Sequence, residues 1–177
     1  MHPCLVVRHA AAEHAASPGL DAERELSAEG AATLARVAAG LAAAAPAPAL
    51  SLTSPYARAR QTAAAVAAAF GGVEVTEEPT LAAGGTPADI LAALVAHCRG
   101  DAGGIAVIGH EPDLGRFASY GLAGTSRSFL SLRKGGACLL EFPALPRAGN
   151  APLVWALDPE HLEALGARAR RRDDATA

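Results

Sequence analysis

Four short strand-like segments alternate along this chain with longer alanine-rich stretches, and that alternation limits the architecture more than any other feature. The segments cover residues 4–7 (Cys-Leu-Val-Val), 50–53, 73–76 and 105–108 (Ile-Ala-Val-Ile). Segments of this length, bounded by turn signals, read as strands, and the wholly apolar ones at 4–7 and 105–108 as buried strands. Between them, residues 26–45 place Leu34, Val37 and Leu41 on one face of a helix, which Pro46 and Pro48 end. Ser54-Pro55 has the pattern of an N-cap followed by proline at the first helical position, so a second helix is expected from there to about Phe70, stopped at Gly71-Gly72. Thr86-Pro87-Ala88-Asp89 opens a third helix, and a fourth is expected from near Pro112 to about Tyr120. Ser17-Pro18-Gly19 marks a turn. Residues 137–142 and 153–157 read as later strands in a loosely connected hairpin, and the chain from Glu160 as a helix that frays through the arginine run. Strands alternating with helices imply an α/β fold, a three-layer α/β/α sandwich on a mostly parallel central sheet. With no internal repeat or linker, the 177 residues are expected to form one domain, ordered over about 3–165 with a frayed tail over about 166–177.

Composition narrows the function classes. Apolar residues make up 51% of the chain, but 46 of them are alanine, so core volume must come from Leu, Val and Ile and the helices gain from high propensity. A net charge of −3 provides no general basic field, and no nucleic-acid partner is expected. Arginine supplies 14 of the 15 cations, with Lys134 alone, and arginine forks bind carboxylate and phosphate bidentately. Cys4, Cys98 and Cys138 are odd in number without ligand spacing, which fits a reduced, cytoplasmic compartment. The first apolar run is broken by Arg8 and later ones are too short to span a bilayer, so neither a signal peptide nor a membrane partner is expected.

In a parallel sheet, ligands bind beyond the carboxyl ends of the strands. Arg8-His9 ends the first run, Ser54 the second with Arg58 one turn into the next helix, and Gly109-His110 ends the run at 105–108. Taken singly each motif is weak; together they place phosphate-binding and catalytic side chains on one edge. Arg8-His9, Ser54-Pro55 with Arg58-Ala59-Arg60-Gln61-Thr62, and Gly109-His110-Glu111-Pro112 resemble the histidine phosphatase superfamily, the phosphoglycerate-mutase-like enzymes. The short length and Leu26-Ser27-Ala28-Glu29-Gly30 are similar to its SixA-type phosphohistidine phosphatase branch.

The resemblance implies a two-step phosphoryl transfer without metal or other cofactor. His9 would be the nucleophile, becoming phosphohistidine before water releases phosphate. Arg8, Arg58 and His110 would hold the phosphoryl oxygens and stabilise the transition state. The nearby cations should keep His9 neutral, and Ser54, at a helix N-terminus, would add backbone donors to the anion pocket. Arg24 is either a further phosphate-side arginine or a solvated loop residue. His14, Ser17 and Lys134 are expected at the rim or surface, and His2, His97 and His161 in structural or solvated positions. In many superfamily members a carboxylate after the third strand protonates the leaving group, yet residues 80–85 are Thr-Leu-Ala-Ala-Gly-Gly. Glu77, Glu78 and Asp113 do not match the expected place. The implied substrate is a phosphorylated protein, such as a histidine phosphotransfer or phosphocarrier domain. A small phosphate ester or nucleotide is the alternative, and a non-catalytic phosphate-binding module a further one.

Overall fold

The apolar runs form adjacent strands of a single six-stranded sheet. The computed structural model describes residues 1–14, 21–98 and 103–175, side chains at 173 and 174 aside; the turn expected at Ser17-Pro18-Gly19 lies outside them. In chain order the elements are β1 (His2–Arg8), α1 (Ala28–Ala44), β2 (Pro48–Thr53), α2 (Ala57–Ala69), β3 (Val75–Glu77), α3 (Pro87–His97), β4 (Gly104–Gly109), α4 (Asp113–Ala123), β5 (Ala137–Phe142), β6 (Leu153–Leu157) and α5 (Pro159–Asp174). The sheet order is β3-β2-β4-β1-β5-β6. The first four of these strands are mutually parallel, and β5 and β6 continue the sheet antiparallel as the expected hairpin.

Alternating side chains divide the core in two. Cys4 and Val6 face one side with Ile105, Val107, Leu114, Phe117 and Phe142, while Leu5 and Val7 face the other with Val37, Leu41, Val66, Ile108 and Leu162. Both faces of β1 are therefore buried, as its unbroken apolar run requires. Each fully buried Leu, Val or Phe contributes about 1.5–3 kcal/mol from removal of apolar surface from water. Alanine lets α2 lie close to the sheet through Ala59 and Ala63, both wholly buried. Among the described residues no helix is long and apolar enough to cross a membrane.

Several boundaries differ from the sequence reading. β2 begins at Pro48, which tolerates strand entry because no ladder donor is yet needed, and the register shifts between Pro48 and Leu50. β3 starts at Val75 rather than 73, since the backbone N–H groups of Gly72 and Val73 are spent on the Ala67 carbonyl at the end of α2. α2 begins at Ala57, not at Pro55, so Ser54 caps no helix. α4 runs past Tyr120 to Ala123 and is stopped by Gly124 at φ +69. α5 continues to Asp174 through the region expected to fray. Its first half crosses α1 closely: a Cβ on Gly40 would lie 1.9 Å from the Leu162 carbonyl oxygen, and one on Gly166 2.8 Å from the Gly40 nitrogen. Only glycine permits that approach.

Candidate active site

Three neighbouring parallel strands, β2, β4 and β1, end at the same level. Arg8 lies beside Gly109 and Thr53 beside Ile108. The ladder runs one residue further on each side, as His9 N–H donates to the Gly109 carbonyl (3.1 Å) and Ser54 N–H to the Ile108 carbonyl (2.9 Å). His9, Ser54 and His110 consequently emerge together on one edge, as the strand-end placement in the sequence anticipates. The first turn of α1 closes in behind them. Ser27 caps it by accepting from Gly30 N–H, Ser27 N–H donates to the Ala11 carbonyl (3.1 Å), and a Cβ on Gly30 would lie 2.0 Å from that same oxygen. The Leu-Ser-Ala-Glu-Gly segment thus serves to press α1 against the turn that follows His9.

The orientation of His9 follows from its partners. Its Nδ1 lies 2.7 Å from the Ala10 carbonyl oxygen. A carbonyl only accepts, so Nδ1 carries the proton and Nε2 keeps a lone pair. Arg58 Nε donates to that Nε2 at 3.3 Å. The His9 and His110 rings stand 5.1 Å apart between centroids, and Tyr56 packs on the other ring at 4.9 Å. Burial, against the pull of the Ala10 carbonyl and with help from Arg58, Arg8 and Lys134, pushes His9 down to about 4. Burial, then His9 and Arg58, pushes His110 down to about 3, with Asp21 opposing. Both rings are uncharged near neutral pH, which is the state a nitrogen nucleophile requires. Two buried nitrogens here, Arg8 Nε and His110 Nδ1, have no partner among the described residues. Buried polar nitrogens ordinarily find a partner, and these two are left without one at the strand-end edge.

Among the supporting residues, sequence reasoning missed Asp21 and Leu132. Asp21, in a 3-10 turn over Asp21–Glu23, holds the Arg58 fork: its Oδ2 accepts from Nη2 at 2.9 Å and its backbone carbonyl from Nη1. Arg24 donates to Asp21 Oδ1 (2.8 Å) and to the Glu13 carbonyl (2.7 Å), and Arg58 N–H donates to the Arg24 carbonyl at 3.1 Å. The paired guanidinium groups of Arg24 and Arg58 hold the Asp21 carboxyl below its ordinary range. Thr62 Oγ1 donates to the Arg58 carbonyl (2.7 Å) and accepts from Ala10 N–H (3.2 Å), and Gln61 accepts from Leu26 N–H (2.7 Å). The Arg-x-x-Gln-Thr pattern on α2 thereby ties the arginine to the histidine turn. Arg8 Nη1 donates to the Leu132 carbonyl (2.7 Å), while Leu132 N–H donates to Glu111 (2.8 Å), so residues beside both strand ends grip the backbone of one residue. No local signal in the sequence marks Leu132 or Asp21.

Ser54 corrects an expectation. It stands at no helix N-terminus, and its N–H is spent on the sheet; instead its hydroxyl lies 2.8 Å from His110 Nε2 and accepts from Tyr56 N–H at 3.2 Å. Lys134 is exposed beside the pocket, and His97 is structural, its ring bonded to the Ala93 carbonyl at 2.9 Å. The carboxylates considered as acids each have other partners. Glu78 accepts from Thr80 N–H (3.1 Å) and hydroxyl (3.0 Å), buried Asp113 from Gly84 N–H (2.7 Å), and Glu77 lies 3.7 Å from Arg60. No group of three or more His, Cys, Asp or Glu among the described residues is placed to hold a metal ion.

Comparison with known proteins agrees with this geometry. Residues 4–83 match the family model of the histidine phosphatase superfamily (branch 1). No curated protein matches the sequence. Among solved structures, SixA from Nakamurella multipartitia is 25% identical, with a TM-score of 0.74 over 89% of this chain and 96% of that one. The protein histidine phosphatase SixA complexed with tungstate is 23% identical, with a TM-score of 0.77 over 90% and 99%. SixA from Agrobacterium tumefaciens is 22% identical, with a TM-score of 0.73 over 89% and 98%. At such identities the last two establish the fold, which is the phosphoglycerate-mutase-like one. The family match stops short of β4, and the shared fold carries the remainder, including the strand that ends in His110. The histidine phosphatase superfamily match thus covers residues 4–83, and the chain as a whole has the phosphoglycerate-mutase-like fold.

Proposed function

We propose that this protein is a metal-independent phosphohistidine phosphatase acting on a phosphorylated protein in the cytoplasm. His9 Nε2 attacks phosphorus as the substrate's P–N bond breaks, and the substrate ring, already protonated by solvent on its other nitrogen, takes the P–N electron pair and departs as neutral imidazole. Water then attacks the His9 phosphoryl group, releasing inorganic phosphate and restoring the lone pair. Arg8, Arg58 and His110 face the charge that develops on the equatorial oxygens, where a metal ion acts in other phosphoryl transferases. Arg58 Nε, already directed at His9 Nε2, is placed to follow the group as it moves onto that nitrogen. Arg24 acts through Asp21, which orients Arg58.

The observation that carries the substrate class is the engagement of the carboxylates. Glu78 and Asp113 accept bonds from backbone N–H groups, and Asp21 is held ionised between two arginines. Each of these carboxylates is thus already engaged by the protein, and none is left free to face a leaving group. An alkoxide, whose conjugate acid has a pKa comparable to that of water at about 16, needs a positioned acid. A phosphohistidine ring that solvent has already protonated departs as neutral imidazole, whose conjugate acid has a pKa of about 6.5, and needs no further proton.

The test is kcat/KM for a phosphohistidine protein, an aryl phosphate and an alkyl phosphate under one set of conditions. The alkyl ester is expected to be slower than phosphohistidine by at least the ~10²-fold that a positioned acid supplies, with the aryl ester between them. His9→Ala should abolish turnover and the acid-labile phosphoenzyme while the protein stays folded. An alkyl monoester turned over as well as phosphohistidine would refute the reading, and failure to trap any phosphoenzyme would favour a phosphate-binding module.

A further inference from the structure

Within that reading, we infer that Ser54 is a positioning residue that holds His110 in its Nδ1–H tautomer, so that His110 offers the phosphoryl oxygens an N–H rather than a lone pair. The argument is one of hydrogen-bond accounting. Ser54 is fully buried, and its hydroxyl has one proton to give and two lone pairs. One lone pair takes the Tyr56 N–H at 3.2 Å. The remaining neighbour is His110 Nε2 at 2.8 Å. If Nε2 carried the proton, Ser54 would accept twice and its own O–H would have no acceptor among the partners the structure gives it. His110 Nδ1 would then be a buried lone pair without a donor. With the proton on Nδ1, Ser54 donates to Nε2, both serine contacts are satisfied, and one N–H is left for the phosphoryl group. A buried unmade bond costs roughly 1–3 kcal/mol, so the arrangement with fewer of them prevails.

Two further observations support it. His110 is uncharged near neutral pH, so it has a single ring proton whose position a neighbour can decide. His110 Nδ1 is the nitrogen that has no partner among the described residues, although it is buried. His9, by contrast, is fixed by a backbone carbonyl. The two histidines thus present opposite faces to phosphorus, one a lone pair and the other a donor, and different partners set each.

The experiment reads the tautomer directly. In 15N-labelled wild-type protein, two-bond 1H–15N spectra, assigned with His110→Ala, should show His110 protonated on Nδ1. Ser54→Ala should lose that preference and lower kcat by about 10–100-fold, the range for removing a histidine's orienting partner, with KM nearly unchanged. Ser54→Thr, which keeps the hydroxyl, should restore both. A wild-type His110 protonated on Nε2 would overturn the inference even if Ser54→Ala failed to fold. So would a Ser54→Ala protein that keeps the Nδ1–H form, or one that loses it at full kcat. Absence of turnover by the wild type on all three substrate classes would count against the phosphatase reading alone, since the tautomer is measured without substrate.

Discussion

Acidifying the free protein from pH 7 to pH 5 is expected to leave His9 and His110 uncharged. The rings are 7% and 4% exposed, and burial is the largest cause that brings them to about 4 and about 3. A group at about 4 is still about 90% neutral at pH 5, whereas an imidazole at its ordinary 6.5 is only about 3% neutral there. The two cases differ about 30-fold in the population of nucleophile at pH 5. Titration of the assigned ring nitrogens from pH 8 to pH 4 checks the state of each ring. kcat/KM on an aryl phosphate, corrected for substrate ionisation, should stay within about twofold of its pH 7 value down to pH 5. Arg58→Met removes one of the charges that lowers His9, so its midpoint should rise. Stability carries the same signature. Because the folded values lie below the unfolded one, the unfolded chain binds more protons under pH 6.5, and stability present above that pH is lost as pH falls towards the folded values. The loss is about 2 kcal/mol per ring between pH 6.5 and 5, readable in urea melts. A His9 midpoint near 6.5, or a thirty-fold fall in corrected kcat/KM at pH 5, would refute the reasoning.

Three other perturbations test separate parts of the structure. Arg58→Ala and His110→Ala should each lower kcat by about 100-fold or more, the scale of losing one transition-state donor, and a change in KM alone would make them binding residues. Gly40→Ala should cost about 1–3 kcal/mol in chemical denaturation, because the new Cβ would fall 1.9 Å from the Leu162 carbonyl oxygen and α1 and α5 must part. Its kcat should stay at the wild-type value, since the crossing lies away from His9. Excess chelator should leave the rate of purified protein unchanged, and strict dependence on an added divalent cation would contradict the proposed charge arrangement.

What the sequence determined by itself is whatever rests on neighbours along the chain. Unbroken apolar runs mark strands buried on both faces, and prolines, glycines and caps punctuate the helices, so the α/β class, the hairpin at β5 and β6 and most helix bounds are legible from it. His9, His110, Arg8 and Arg58 are legible for the same reason, being fixed by strand ends and by one helical turn. The tertiary structure decided everything that depends on which strands become neighbours. Only the order β2-β4-β1 brings Ser54 to His110 and turns an expected helix cap into a side-chain partner. Asp21 reaches Arg58 across 37 positions, and Leu132 reaches Arg8 across 124. Such bonds leave no periodicity, since an aspartate in a polar loop or a leucine among polar residues looks the same whether or not it is used. The last helix shows the same limit: its arginines read as solvated and are exposed, but nothing along the chain announces that Gly40 and Gly166, 126 positions apart, let the backbones of α1 and α5 touch.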